Sequence, residues 1–368
     1  MKAPWVMLLA LTVGEARAGV VIDHVDDTGI DDEGGGTYGR LVLYVDVRED
    51  DGRPVFFLPE PDGLALTIDG RPLVGDFDVT SAHEARLPMA LGVLLSAHSG
   101  LALPSPERDV DPFAEQKAGF ATLVKLLSDD DELHRVAAWM STDLGPVEVA
   151  GWGAPSSVGT RLATLLRPEV RPDAPPPDLY GALATALDRF SADQDDLPRR
   201  RVLIVLSDGL DARPETADAR VDALAERARL LGVRILTLGF SSGGEPTGLV
   251  RLAALARKTG GHHRSVFYAQ RERLAGIIGL EGRALGEQLV VSFRPRERWY
   301  EPLVGELRLR LATPDGRRAF GRVEGARIRA FVDEREGVLP RLLLGVGIGF
   351  ALAGLGVWLM ARRAGKAG

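Results

Sequence analysis

The chain contains no cysteine, which excludes disulfides, thiolate nucleophiles and thiolate metal sites whatever the compartment. Lysine is nearly missing too, confined to Lys2, Lys117, Lys125, Lys258 and Lys366. Arginine carries the rest of the positive charge, and with abundant alanine and glycine this is the bias of a GC-rich bacterial genome. There is no basic surplus: a formal charge of -7 leaves nothing to neutralise phosphates, which argues against nucleic acid as a partner. No Walker loop and no zinc motif occurs. What is present is ordinary globular material, 45% hydrophobic and 26% charged over 368 residues, enough for two or three units that each bury a core. Without cross-links, packing alone must hold them.

The N-terminus combines one positive charge at Lys2, an apolar run from Val6 to Leu11, and Ala16-Arg17-Ala18 before Gly19. That order of basic, apolar and small-x-small segments is a secretory signal peptide cut after Ala18. Near the other end, Leu342 to Met360 carries no charge and is long enough, at the helical rise, to cross about 30 Å of hydrocarbon. Arg341 precedes it, while Arg362, Arg363 and Lys366 follow, so the heavier basic flank stays cytoplasmic. The expectation is a single-pass membrane protein whose bulk is extracytoplasmic, in the periplasm or on the cell surface. Gly345, Gly349 and Ala353 recur at four-residue intervals, a face on which a homodimer could pair, although glycine is common in membrane helices that pair with nothing.

Between the ends, residues 20–37 are rich in Asp and Gly and read as a solvated leader or turn, their spacing unlike a calcium loop. Leu41, Leu43, Val45 and Val47 alternate, as do Leu64, Leu66 and Ile68, and later Leu307, Leu309 and Leu311 ahead of Pro314-Asp315-Gly316. This period of two predicts strands, belonging to one β-sandwich or to two. The middle differs. Met89 to Leu95, Val202 to Leu206 and Val233 to Leu238 are continuous apolar runs, which suit parallel strands covered on both faces. Apolar spacing of three and four predicts helices over Phe113–Leu127, Leu179–Phe190, Ala217–Leu231 and Leu249–Lys258. Arg135–Met140 and Val147–Trp152 read as an antiparallel hairpin within the same sheet. The fold class is therefore α/β, a doubly wound, mostly parallel sheet with ligands at the C-terminal edge of its strands.

Several of these segments resemble a von Willebrand factor A (VWA) domain over roughly 88–285. Arg200 to Gly209, ending Leu206-Ser207-Asp208-Gly209, resembles the family's fourth strand; Leu230 to Phe240 resembles the next helix end, strand and loop; Thr259-Gly260-Gly261-His262 looks like its Thr-Gly-Gly segment. The resemblance implies a rim whose loops, in many members, hold Mg²⁺ through oxygen ligands and present it to a partner's carboxylate. Here that metal-ion-dependent adhesion site is degenerate. The stretch matching Asp-x-Ser-x-Ser is Leu95-Ser96-Ala97-His98-Ser99, and the second-loop Thr is Pro177. The third loop keeps Asp208, with Asp211 nearby. One carboxylate and one hydroxyl are a poor cage for Mg²⁺, so no metal and no cofactor are expected. Asp208 also reads as a turn residue accepting backbone N–H bonds, with a rebuilt ion site using Asp178 or Asp211 as the alternative. His98 reads as a solvated loop side chain, with a replacement ligand as its other option.

Gly239-Phe240-Ser241-Ser242-Gly243 matches a nucleophile elbow, yet the last histidines, His262 and His263, come too soon to complete a Ser-Asp-His order. The expected protein is thus not an enzyme. It divides into a signal peptide (1–18), an N-terminal β-rich region (19–87), the VWA-like domain (88–285), a C-terminal β-rich region (286–335), a transmembrane helix (340–360) and a basic cytoplasmic tail (361–368). Its function would be metal-independent protein binding, as an adhesion or scaffold module, at Ser96, His98, Ser99, Asp178, Asp208 and Asp211. A structural subunit of an envelope complex is the alternative, and a serine hydrolase a weaker one. If the leader is removed as expected, N-terminal sequencing of the protein from native membranes begins at Gly19; an intact Met1 would overturn export.

Overall fold

The structure is a computed structural model that describes residues 19–26, 39–49, 52–98, 101, 111–169, 175–192, 196–241, 246–267, 274–297, 299, 301–313, 316 and 318–329. The expected signal peptide, Ser99, the expected transmembrane helix with its Gly345, Gly349 and Ala353, and the tail lie outside them. Among the described residues no helix is long and apolar enough to cross a membrane.

Along the chain, β1 (Gly19–Asp26), β2 (Leu41–Arg48), β3 (Ala65–Ile68), β4 (Arg71–Leu73) and β5 (Gly75–Ser81) come first. Then follow β6 (Met89–Ala97), α1 (Pro112–Leu127), β7 (Arg135–Thr142), β8 (Gly145–Gly153), α2 (Pro155–Thr164), α3 (Leu179–Ala192) and β9 (Arg200–Ser207). The rest is α4 (Ala217–Leu230), β10 (Val233–Ser241), α5 (Pro246–Lys258), β11 (His263–Phe267), α6 (Leu274–Gly286), β12 (Leu289–Pro295), β13 (Leu303–Ala312) and β14 (Arg318–Ile328).

The central sheet has the order β11-β10-β9-β6-β7-β8, parallel throughout except for β8, which pairs antiparallel with β7. This is the doubly wound arrangement and the hairpin that the sequence predicts. Side chains on successive residues leave a strand on opposite faces, so each apolar run feeds two cores. Leu91, Val93, Leu95, Ile204 and Leu206 pack against α1, α2 and α6 on one face. Ala90, Leu94, Leu203, Val205 and Ile235 pack against α3, α4 and α5 on the other. That double burial is why these strands read as unbroken hydrophobic stretches.

The flanking strands form one sandwich. Its sheets have the orders β1-β2-β12-β5 and β14-β13-β3-β4, and a single apolar cluster joins Leu41, Leu43 and Val45 to Leu66, Leu307, Leu309 and Leu311. Each sheet mixes segments from before and after the α/β domain, which is therefore inserted between β5 and β12. Leu289 lies opposite Ser81, so the chain leaves the sandwich and returns to it at one place. Residues 20–26, read from sequence as part of a solvated leader, are instead strand β1, with Val20 and Ile22 in the sandwich core.

A buried charge cluster welds the two units at the N-terminal edge of the central sheet. Arg48 of β2 forks onto Glu281 of α6, at 3.0 Å and 3.3 Å. His262 Nε2 lies 2.8 Å from the same carboxylate, and Arg234, at the start of β10, meets Asp46 of β2 at 3.2 Å. Burial alone would raise the Glu281 pKa, but His262 and Arg48 outweigh it and hold the carboxyl at about 2. Asp46 goes the other way: its burial outweighs Arg48, 3.7 Å off, and raises its pKa. A carboxyl with a lowered folded-state pKa contributes stability that is complete above its ordinary value and lost as pH falls through the folded one. Glu281 thus makes urea resistance fall between about pH 4.5 and about pH 2. Glu281→Gln is expected to destabilise the protein at pH 7 by roughly 3–5 kcal/mol, the cost of breaking a buried pair, and to flatten that acid limb. Urea titrations at pH 7 and pH 3 check both effects.

Candidate functional site

In a doubly wound sheet the crevice opens where strand order reverses, outside the carboxyl ends of the strands. Here that point lies between β6 and β9. Their parallel register pairs Leu94 with Val205, so the chain just past β6 stands beside the chain just past β9, bringing His98 to Asp208. His98 Nε2 lies 3.1 Å from Asp208 Oδ1, and both side chains are almost fully buried, at 2% and 4% exposure. Asp208 Oδ1 also accepts the Leu210 N–H at 3.1 Å, the turn role read from the sequence. His98 is not the solvated side chain expected of it: it fills the crevice.

The residue matched to the family's first acid is displaced as well. Leu95 is fully buried in the core beneath α1 and α6, on the face of β6 that packs against those helices. Ser96, next along β6, is buried on the opposite face, and its backbone is clamped on both polar groups by the Gln116 amide of α1, at 3.1 Å and 2.9 Å. Gln116 is fully buried. Sequence reasoning passed over it, although a lone amide between Phe113 and Phe120 on an apolar helix face is a signal that some backbone needs a partner.

The second and third loops are tied by arginine. Arg220 of α4 bridges Asp178 and Asp211, reaching Asp211 Oδ2 at 3.0 Å, while Arg213 also pairs with Asp178. Asp211 accepts the backbone N–H groups of Tyr180 and Arg213 besides. Pro177 offers no side-chain oxygen, but its carbonyl accepts the Ala212 N–H at 2.9 Å. Burial raises the Asp178 pKa, yet the hydrogen bonds from Arg220 and Gly181 prevail and lower it. Tyr180, beneath the Arg220 guanidinium, is pushed up to about 12 by burial and by the Asp211 charge. Nothing in the sequence marked Arg220, which sits in a helix that reads as solvated on this face.

Asp208 is therefore met by His98, and the acids of the alternative ion site, Asp178 and Asp211, are paired with Arg220. Among the described residues no three His, Asp or Glu side chains gather closely enough to hold a metal ion. The oxygens left over are Ser96 Oγ, Asp208 Oδ2 and Tyr180 Oη, buried and without hydrogen-bond partners. Two hydroxyls and a single carboxylate oxygen beside an imidazole do not match the octahedral oxygen set of Mg²⁺. Above them, Leu210 is exposed, as are Leu144, Leu166 and Val250 on neighbouring elements.

A glycine contact fixes the third loop. Gly209 has φ +78, and a Cβ on it would sit 2.4 Å from the Gly248 backbone in α5. Both the left-handed backbone and the close approach demand glycine. Of the histidines in the hydrolase reading, His262 is engaged by Glu281 and His263 by Thr237 Oγ1 at 2.8 Å; part of the Gly-x-Ser-x-Gly stretch lies outside the described residues.

No protein-family profile and no curated protein matches the chain. Among solved structures, the VWA domain of SpRpn10 matches at 12% identity and TM-score 0.41, covering 52% of this chain and 94% of that one. The vWF domain of the type V pili tip protein Mfa5 from Porphyromonas gingivalis matches at 11% and 0.40, covering 54% and 94%. A D319A mutant of the PilB minor pilin from Streptococcus sanguinis matches at 8% and 0.42, covering 74% and 88%. Scores this low say nothing of function.

Removing the Arg220 charge while keeping its bulk, as in Arg220→Met, leaves buried Asp211 without its guanidinium. The expected cost is about 3 kcal/mol in urea unfolding, and the Asp178 carboxyl should titrate at a higher pH by NMR than in the parent protein.

Proposed function

We propose that this chain is an exported, membrane-anchored, non-enzymatic module of VWA type that binds a protein partner at the C-terminal rim of its central sheet without a divalent cation. The observation that carries this reading is the state of the rim acids. Asp208 is met by His98, and Asp178 and Asp211 by Arg220, so each acid a cation would need already has a side-chain partner. The degenerate first and second loops, Leu95 to Ser99 and Pro177, point the same way. Anchoring and export rest on the sequence of the two ends.

A partner meeting this rim touches Leu210, Arg213 and the outer edge of Asp178 first, since Ser96, His98, Asp208 and Asp211 lie buried beneath them. Those buried groups set the shape and stiffness of the surface. Ordered loops reduce the entropy lost on docking, the same service that a coordinated ion performs in other members of the family that the chain resembles.

The test is site-specific photo-crosslinking of the full-length chain in native membranes, with the crosslinker at position 210 or, as control, at exposed Leu230 on the far end of α4. A defined adduct from position 210 that survives EDTA supports the reading. An adduct lost on adding EDTA, or obtained only from position 230, overturns it.

A further inference from the structure

A cavity of about 220 Å³ lies on the opposite side of the molecule from the rim, under the β5–β6 connection and between the ends of α1 and α6. Its inner wall is unusual. Arg200, at the start of β9, donates Nε to Gln288 Oε1 at 3.0 Å and Nη2 to the Leu285 carbonyl, but among the described residues no carboxylate pairs with it. Burial lowers its pKa to about 10, with Asp46 compensating only from a distance. Beside it stands His134, 9% exposed, whose Nδ1 is buried without a hydrogen-bond partner. Burial and the Arg200 charge both lower the His134 pKa, so the imidazole stays neutral beside the guanidinium.

Arg200 is partly buried, and taking a cation out of water without a counter-ion is costly; an open cavity at its side is where an anion would relieve that cost. The remaining inner surface is apolar, formed by Met89, Leu127 and Leu285. At the mouth the charges nearly cancel: Arg86 is held by Asp130 at 2.7 Å, Arg283 faces Glu287 at 4.0 Å, and Asp129 adds a further negative charge. That mouth disfavours a multiply charged guest, and a volume below the usual range for drug-sized ligands favours a small one.

We propose that this cavity binds a small organic monocarboxylate, its carboxylate on Arg200 with His134 alongside and its apolar part over Met89, Leu127 and Leu285. Arginine suits the task because its planar fork matches a carboxylate and stays charged. The site is independent of the rim, since it lies at the other edge of the sheet and shares no residue with it.

Calorimetric titration of the full-length chain with benzoate, with its neutral isostere benzamide and with inorganic phosphate separates the possibilities. Expected are saturable binding of benzoate at one site, benzamide weaker by at least about tenfold, as loss of a charge-assisted hydrogen bond requires, and no displacement of benzoate by phosphate. Arg200→Gln should weaken benzoate by a similar factor. Arg200 also supports the Leu285 carbonyl, so Leu126→Trp, at the exposed cavity mouth, serves as a second variant that blocks the cavity without touching the charged wall. Absence of saturable benzoate binding, equal affinity for benzamide, preference for phosphate, or undiminished binding in Leu126→Trp would overturn the proposal.

Discussion

The architecture hinges on charge taken out of water at the seam between two units. Arg48, Asp46, Glu281, Arg234 and Arg264 are nearly inaccessible, and they come from four elements, β2, α6, β10 and β11. Buried ions are tolerated only when paired and hydrogen-bonded, so the sandwich strand β2 has essentially one position against the ends of β10, β11 and α6. Apolar contacts alone would allow sliding; a bidentate guanidinium on a carboxylate does not. The cluster thereby fixes the orientation of the inserted domain, and with it the direction in which the rim faces.

At the rim the same chemistry is used for another purpose. A divalent cation draws loops together by gathering oxygens, and it must be supplied from outside. Here the side chains that meet the loop acids are His98, just past β6, and Arg220 of α4. Both ties form within the folded chain itself. Leu210 and Arg213 stand exposed beside these ties.

Most of the core was readable from periodicity, because the strands of the central sheet and the helices α1, α3, α4 and α5 each obey one clean spacing. Where the spacing was spoiled, the element was missed. β1 carries a bulge between Ile22 and His24, which breaks its alternation and makes its acidic residues look like a leader. α2 buries only Pro155, Val158 and Leu162, and α6 interrupts its apolar face with Gly282 and the charged Glu281. At the site, Asp208 was legible because its strand is so regular. His98 was read as solvated because a lone histidine just past a strand gives no sign of the Asp208 that buries it, 110 residues on. Arg220 and Gln116 lie on helices, 9 and 20 residues from the Asp211 and Ser96 they hold, and only the packing of α4 and α1 shows what they reach.

The insertion of the α/β domain between β5 and β12 governs how the molecule carries load. The ladders β2–β12 and β3–β13 bridge from the first strands to the last, and Ser81 and Leu289 sit side by side where the domain joins. Tension drawn between the two ends of the described chain is therefore borne in shear by the sandwich, whose hydrogen bonds form a bypass around everything between residues 82 and 288. The α/β domain rides on a strut that takes the strain, and its geometry stays unchanged until that strut yields.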